Sequence, residues 1–299
     1  MALVPRIVVV TRPTEYELLL GRHGTYGQVK FFLESRGRDA EALVARHDRL
    51  HAARGRVLAA IPNQWRRAAV PRGDLDRFLF EPEDVVVVVG QDGLVANVAK
   101  YLAGQLVVGV NGDPGYEAGV LVSHTADRGA ELMIACGEGH ADEVESRTMV
   151  SATLDDGQEL VALNEIFLGQ RNHQSARYRI ELFDQVEHQS SSGLIVSTGT
   201  GATGWASSIH RCQASRLKLP RASDPFLAFF VREAWSSPVT GTDIVSGLLR
   251  DGHTLRVTSE MNDTGVLFGD GIEDDALRFG WGQTALLGRA DRTLQLVRA

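Results

Sequence analysis

Cysteine is scarce in this 299-residue chain, which contains only Cys136 and Cys212, far apart in sequence. They provide neither the spacing of a thiolate metal site nor the disulfide framework of small secreted domains. Long apolar runs are also missing, since no stretch approaches the ~18 uncharged residues of a membrane-spanning helix. The N-terminus passes directly into the apolar run 7–10 without the features of a signal peptide. We therefore expect a cytoplasmic protein with no membrane partner.

An excess of basic residues is absent as well. The chain has 31 Lys and Arg against 38 Asp and Glu, which gives a formal net charge of −7. General nucleic-acid binding needs a basic surface, so we expect no nucleic-acid partner. A phosphate ligand stays compatible with this charge, because phosphate sites use local backbone amides and a few cations. The nine histidines do not suggest a ligand set, and we predict no metal site.

The pattern of apolar residues changes along the chain. The first part alternates helix-like stretches with β-branched runs such as the five valines 85–89, which suit a strand buried on both faces of a parallel sheet. From about residue 130, strand-like segments separated by turn signals predominate. The sequence predicts an α/β N-terminal open-sheet domain (1–128) and a β-rich C-terminal domain (129–299), whose last strands could return to the first domain.

The stretch Ser-Thr-Gly-Thr-Gly-Ala-Thr-Gly-Trp at 197–205, the glycine loop, fits the dinucleotide fingerprint G-x-G-x-x-G. That fingerprint should follow the first strand of a βαβ unit and precede an acidic residue about 20 positions later. Here it lies in the β-rich part, and Asp224 occupies a turn-like setting. A Rossmann site is the weaker interpretation, and a purely structural turn is also open. The amides and threonine hydroxyls also suit a phosphate or an adenine–ribose unit.

The sequence Gly90-Gln91-Asp92-Gly93, the GQDG turn, follows the five valines and precedes a helix-like stretch. Ligands of open α/β sheets bind at the carboxyl ends of strands, where glycines allow close approach and a helix N-terminus favours anions. Asp92 suits the acceptance of a proton from a hydroxyl that attacks phosphorus. The alternative is a helix N-cap in a tight turn.

A third polar motif lies at Leu163-Asn164-Glu165. We predict a single strand over 159–168 with Asn164 and Glu165 near its middle, so that one of the two faces inward. A buried Asn or Glu needs partners, which a ribose diol can supply. The alternative is a surface pair at a strand end.

In this order the three motifs resemble the NAD kinase family, and the similarity is greater to its mitochondrial-type branch. Segments 11–16, 108–114 and 191–193 are similar to that branch. The resemblance implies a two-domain NAD kinase-like fold with NAD binding by the β-rich domain. It implies transfer of the ATP γ-phosphoryl group to the 2′-hydroxyl of the adenosine ribose of NAD. It also implies Mg²⁺ bound with ATP and a homodimer or higher homo-oligomer.

The resemblance also assigns individual residues. Asp92 is the expected catalytic residue. The phosphate-binding candidates are Gly90, Gln91, Gly93, Arg12 and Arg22. The NAD-binding candidates are Asn111, Asn164, Glu165, Ser192, Thr198, Thr200, Gly201, Thr203, Gly204, Trp205 and Ser208.

The chain departs from the family pattern at several of these positions. Gln91 replaces a glycine, Ser192 replaces an aspartate of the common branch, and Trp205 stands where tyrosine is common. Two alternative functions therefore stay open. One is a catalytically weak or silent dinucleotide-binding relative, and the other is a lipid or sugar kinase of the same superfamily. A lipid kinase is expected to present an apolar or basic membrane face, which the sequence lacks.

Overall fold

A computed structural model of the chain describes residues 4–116, 119–250 and 252–298. The chain forms two compact units: unit 1 comprises Met1–Glu145 with Gln295–Ala299, and unit 2 comprises Ser146–Leu294. Unit 1 is α/β and unit 2 is β-rich, which confirms the fold class predicted from the sequence. The sequence boundary between the units lies at 145/146 rather than at the predicted 128/129. Helix Ala126–Gly137 belongs to unit 1 because it packs its apolar side chains into the core of that unit.

Unit 1 is built on a parallel sheet. Its elements are β1 (Arg6–Thr11), α1 (Glu15–His23), α2 (Tyr26–Glu34), α3 (Ala40–Ala60), β2 (Arg66–Pro71), a 3₁₀ segment (Arg72–Arg77), β3 (Asp84–Gly90), α4 (Asp92–Ala99), β4 (Leu106–Asn111) and α5 (Ala126–Gly137). The strands lie in the order β2-β1-β3-β4, and all these neighbours are parallel. β3 is buried along its whole length, in one core with side chains of α3 and α5, which explains its run of valines.

Side-chain caps fix where helices α1, α2, α3 and α5 of unit 1 begin. α1 starts with a capping box, in which the Thr14 hydroxyl accepts from the Glu17 amide and the Glu17 carboxylate accepts from the Thr14 amide. α3 follows Asp39, whose carboxylate accepts the amides of Glu41 and Ala42. None of the helices within the described residues combines the length and apolar character that crossing a bilayer requires.

Unit 2 contains two sets of paired strands. Its elements are β5 (Val144–Leu154, which begins in unit 1), β6 (Glu159–Ala162), β7 (Glu165–Gln170), β8 (Ala176–Leu182), β9 (Gln185–Ser191), β10 (Leu194–Ser197), a 3₁₀ turn (Gly201–Thr203), α6 (Trp205–Cys212), β11 (Leu227–Val231), β12 (Ser246–Leu249), β13 (Leu255–Ser259), β14 (Gly265–Gly269), β15 (Ile272–Arg278) and β16 (Thr284–Val297). One set has the order β12-β11-β10-β7-β14-β15; the other joins β9-β8-β13-β16, with β5 and β6 attached through β16. A single apolar core takes side chains from both sets.

The predicted strand over 159–168 is wrong, because the chain forms two strands with a break at 163–164. β6 pairs with β5, whereas β7 pairs with β10 and β14. The break forms because the Asp270 carboxylate accepts the backbone amides of Leu163 and Asn164, at 3.0 and 2.6 Å. Only Glu165 lies in a strand, so the side chains of Asn164 and Glu165 do not alternate across one strand as predicted.

The last strand, β16, contributes to both units. Gln295 and Leu296 pair in parallel with β4 of unit 1. Beyond them, the Arg298 side chain lies 2.6 Å from the Glu145 carboxylate and donates to the Val120 carbonyl at 2.9 Å. The sheet of unit 1 is therefore completed by residues from the far end of the chain.

Candidate functional site

The GQDG turn stands at the carboxyl end of β3. β3 ends at Gly90, and α4 begins at Asp92. The whole turn lines a cavity of about 180 Å³ together with Asn111, the last residue of the neighbouring strand β4. Asn111 lies there because Gly90 and Asn111 are register partners at the same edge of the parallel sheet. The structure thus brings together five of the residues that the sequence singled out.

Asp92 is strongly engaged with the backbone of a neighbouring segment. Its carboxylate accepts the amides of Val120, Leu121 and Val122 at 2.9, 2.8 and 3.0 Å. A carboxylate has about four acceptor positions, so these bonds leave about one for a ligand. That position can hold a hydroxyl group in place. Moving a proton fully onto Asp92 would weaken its bonds to 120–122.

Gly93 is open to its surroundings, whereas Gly109 in the neighbouring strand is not. A Cβ built on Gly93 meets no heavy atom within 4 Å, whereas one on Gly109 would lie 1.9 Å from the Leu121 carbonyl oxygen. Packing therefore does not require glycine at 93. The absent side chain instead leaves the first turn of α4 accessible to a group that binds backbone amides, such as phosphate.

Gln91, the departure from the family pattern, is paired with a predicted phosphate ligand. The Arg12 guanidinium donates to the Gln91 side-chain oxygen. Both residues line a second cavity, of about 130 Å³, whose wall includes residues of α1 and α3. Arg22 lies exposed in the last turn of α1, outside the linings of both cavities. The structure therefore brings Arg12 to the turn but not Arg22.

In unit 2, the threonine hydroxyls of the glycine loop form hydrogen bonds that stabilise the loop. Thr198 is fully buried; its hydroxyl donates to the Leu163 carbonyl at 2.6 Å and accepts the amides of Thr200 and Gly201 at 3.1 and 3.3 Å. The Thr200 hydroxyl accepts from Arg147 at 3.2 Å, and that of Thr203 donates to the Thr200 carbonyl at 2.9 Å. These contacts join the loop to the 163–164 break.

Two glycines of this loop are required by close backbone packing. A Cβ on Gly199 would lie 1.8 Å from the Arg221 carbonyl oxygen, and one on Gly201 would lie 2.3 Å from that of Asn164. Gly204, at the start of α6, has its nearest such contact at 3.7 Å. The strand before the loop, β10, is antiparallel to both its neighbours. The Rossmann interpretation is therefore wrong, because that fingerprint belongs to a parallel βαβ unit.

Glu165 is the candidate whose protonation the structure changes most. It is half-buried at the start of β7. Burial, with the negative charge of nearby Asp270 as a second cause, raises the pKa of Glu165 to about 7. Near neutral pH the carboxyl group can therefore donate as well as accept a hydrogen bond, and a ribose hydroxyl can pair with either form.

A separate group of predicted residues surrounds Arg232. Trp205 and Ser208 line a groove of about 1150 Å³ together with Arg232. The Arg232 guanidinium lies 5.2 Å from the centre of the Trp205 ring, and Arg232 exchanges backbone and side-chain hydrogen bonds with Ser192. The NAD-binding candidates of unit 2 thus fall into two groups, one at the 163–164 break and one at Arg232. No sequence motif pointed to Arg232.

One cluster of side chains in unit 1 could hold a metal ion, although we predicted no metal site from the sequence. Glu17 of α1 and His47 and His51 of α3 each bring one potential ligand atom, and these atoms all lie within 4.8 Å of one another. The signal was present in the sequence, since His47 and His51 are four residues apart, a spacing that puts two side chains on one face of a helix. Asp270, which shapes the 163–164 break, was not among the candidate residues from the sequence.

Comparison with known proteins supports the fold. No protein-family model matches the chain, and no curated protein matches it in sequence. The fold is similar to that in the crystal structure of yeast NADH kinase complexed with NADH, with a TM-score of 0.61 and 13% identity. The match covers 100% of this chain and 84% of the yeast chain. The chain therefore has a two-domain NAD kinase-like fold.

Proposed function

We propose that this protein is a kinase that phosphorylates NAD, with ATP as donor and NADP as product. The observation that carries the proposal is the cavity at the end of β3, where Asp92, Asn111 and the open backbone of Gly93 lie together. The likeness of the fold to yeast NADH kinase supports the choice of a dinucleotide as acceptor.

In the proposed reaction the oxygen of the adenosine 2′-hydroxyl forms a bond to the γ-phosphorus of ATP. The bond from that phosphorus to the β,γ-bridging oxygen breaks, and ADP leaves with the electron pair. The hydroxyl proton passes to Asp92 or to a water that Asp92 orients. Because such transition states are loose, positioning and charge stabilisation supply most of the catalysis. The remaining acceptor position of Asp92 suits the holding of the hydroxyl in line.

Phosphate binding is assigned to the GQDG turn. Backbone amides at the start of α4 and the helix dipole favour an anion beside Gly90 and Gly93. Arg12 can add a positive charge there through its contact with Gln91. Arg12 is the stronger arginine candidate, because the assignment of Arg22 rests on sequence resemblance alone.

The side chains at this cavity fit a Mg²⁺ that arrives with ATP. Asp92 and Asn111 supply oxygen atoms, which Mg²⁺ prefers, but both already accept backbone hydrogen bonds. They suit an ion held mainly by phosphates and water. Mg²⁺ bound with ATP supplies neutralisation of the phosphate charge.

Dinucleotide binding is assigned to unit 2. We propose that Asn164 and Glu165 contact the ribose, while Thr198, Thr200, Gly201 and Thr203 shape the loop beside them. Gly204, Trp205, Ser208 and Ser192 are proposed to contact other parts of NAD. Trp205 stacks on Phe167 with 5.9 Å between ring centres, and this packing fixes the orientation of its ring.

A silent dinucleotide-binding protein is the second candidate function. Two observations favour it: Asp92 already accepts three amides, and Gln91 occupies a position where the family has glycine. Both arrangements would also arise if the GQDG turn had lost its catalytic role and kept a structural one.

The decisive experiment is a kinase assay on the purified chain with NAD or NADH, ATP or polyphosphate, and Mg²⁺. Chromatography quantifies NADP(H) and ADP together, and we expect equal amounts of both with ATP. Thermal stabilisation by NAD without any phosphorylated product would favour the silent binding protein. If the chain forms no product and is not stabilised by NAD, both functions are contradicted. A lipid or sugar kinase would then have to be considered again. The homo-oligomer implied by the family resemblance is tested by the mass of the protein in solution.

A further inference from the structure

We propose that Glu17, His47 and His51 bind a Zn²⁺ ion in the wall of the second cavity of unit 1. This cavity is also lined by Arg12 and Gln91. The proposal rests on side chains of unit 1 alone and does not depend on the proposed kinase activity. The site is separate from the Mg²⁺ that would accompany ATP, because imidazole ligands suit Zn²⁺ and Mg²⁺ prefers oxygen.

The ligand set comes from two helices. His47 and His51 are four residues apart on α3, so their side chains lie on one face, and their ring centres are 4.2 Å apart. Glu17 approaches from α1. Two histidines and one glutamate form a known zinc ligand set, in which a fourth position stays open for water or another ligand.

One of the distances between ligand atoms already suits a shared ion. The Nε2 atom of His51 lies 3.1 Å from Oε1 of Glu17. Neighbouring ligands in a tetrahedral zinc site are about 3.3 Å apart, as follows from Zn–N and Zn–O bonds of about 2.0–2.1 Å. An ordinary histidine–carboxylate pair would show the same distance. The nearby His47 is what distinguishes this group from such a pair.

Thr14 holds two of the three ligands in place. Its hydroxyl lies 2.8 Å from Nδ1 of His47, and its amide donates to Oε2 of Glu17 at 2.7 Å. If Nδ1–H donates to the hydroxyl, the lone pair of His47 Nε2 is left for a metal. Metal-binding histidines almost always donate their other N–H to an oxygen acceptor, which fixes the tautomer and the ring orientation. The capping box of α1 thus also orients the proposed ligands.

Access and charge act in opposite directions. The side chains of His51 and Glu17 keep 43% and 38% of their surface exposed, so an ion can enter from solvent. Arg12, Arg46 and Arg54 line the same cavity and oppose a cation. The effect is reduced because Arg46 lies 3.5 Å from the Asp113 carboxylate and Arg12 contacts Gln91.

The test titrates metal-free protein with Zn²⁺ and, separately, with Co²⁺. We expect one ion per chain, a higher melting temperature, and the visible absorption of four-coordinate Co²⁺. His51→Gln and His47→Gln should each weaken Zn²⁺ binding more than about tenfold, because even residues behind the ligands typically contribute 10–100-fold. His51 is exposed, so His51→Gln keeps the test valid if His47→Gln fails to fold.

The matched control is His188→Gln. His188 also lies against a carboxylate, with its Nδ1 atom 2.6 Å from Oε1 of Glu260, but it belongs to a two-residue pair. We expect this variant to bind Zn²⁺ like the unmodified chain. The proposal is wrong if the unmodified chain binds no stoichiometric Zn²⁺, if His51→Gln leaves the affinity unchanged, or if His188→Gln removes the binding.

Discussion

The GQDG turn of unit 1 and the glycine loop of unit 2 look alike in sequence but differ in what lies beside their glycines. Gly93 faces open space, whereas Gly199 and Gly201 face the backbone carbonyls of other segments. Each unit also has an aspartate that accepts backbone amides from a distant segment: Asp92 of the GQDG turn binds segment 120–122, and Asp270, which lies outside the glycine loop, binds the 163–164 break. A glycine-rich motif can therefore serve ligand approach in one unit and tight packing in the other.

The largest expected effect is a difference in kcat between variants of Asp92 and Asp270. Asp92→Asn should reduce kcat by about 10²–10⁴-fold, because it removes the group proposed to receive or direct the hydroxyl proton. Asp270→Asn removes a comparable backbone acceptor without touching the GQDG turn, so its loss of kcat should be much smaller. Steady-state kinetics and urea unfolding of both variants measure this. Similar kcat values for the two variants would mean that Asp92 serves only to hold segment 120–122 in place.

The glycines provide the second prediction. Gly199→Ala should lower the free energy of unfolding by about 3 kcal/mol or more, because its Cβ would overlap the Arg221 carbonyl and the backbone must move. Urea denaturation measures the change, with Gly93→Ala as the control in open space. A stable Gly199→Ala protein would remove the distinction drawn between the two turns.

A third, smaller effect concerns pH at the loop in unit 2. In the folded state the pKa of Glu165 is raised to about 7 from an ordinary 4.5, so the folded chain holds this proton more tightly than the unfolded chain. The stabilising contribution is full below pH 4.5 and is lost as pH rises through 7. We expect a loss of about 1–2 kcal/mol between pH 5 and 7. In Glu165→Gln this part of the pH dependence should be absent from the unfolding curves.

The smallest effect is expected at Gly93. Gly93→Ala should leave the free energy of unfolding unchanged or raise it by up to about 1 kcal/mol. Alanine favours the helical conformation, and its Cβ at this position would meet no heavy atom within 4 Å. If phosphate approaches the backbone there, kcat/KM for ATP should fall about tenfold. An active Gly93→Ala enzyme with unchanged kcat/KM would place the donor phosphates elsewhere.

The sequence predicted features whose signal is local. Five valines indicated the buried strand β3, and the end of that strand located the GQDG turn. The capping box Thr14-x-x-Glu17 and the His47–His51 spacing were also visible, yet α1 and the histidine cluster were not predicted. Both patterns span four or five residues, so they can be read from the sequence without knowledge of tertiary contacts.

Other features depend on contacts between distant residues. The break at 163–164 is formed by Asp270, which lies more than a hundred positions away in the sequence. Nothing in the sequence of 159–168 indicates that the amides of Leu163 and Asn164 donate to this distant carboxylate. The need for glycine at 199 depends on the position of the Arg221 carbonyl. Periodicity predicts which residues are apolar along a strand, but it cannot show which backbone group a distant loop will meet.

The placement of β16 has a consequence for how the protein is made. Arg298 donates to the carbonyl of Val120, whose amide in turn donates to Asp92, so the GQDG turn is connected to the end of the chain. During translation, at about 5–20 residues per second, Asp92 is synthesised roughly 10–40 s before Leu296. Until then the sheet of unit 1 lacks the pairing of β16 with β4, and a nascent chain on the ribosome lacks the Arg298 contact to the segment that Asp92 binds.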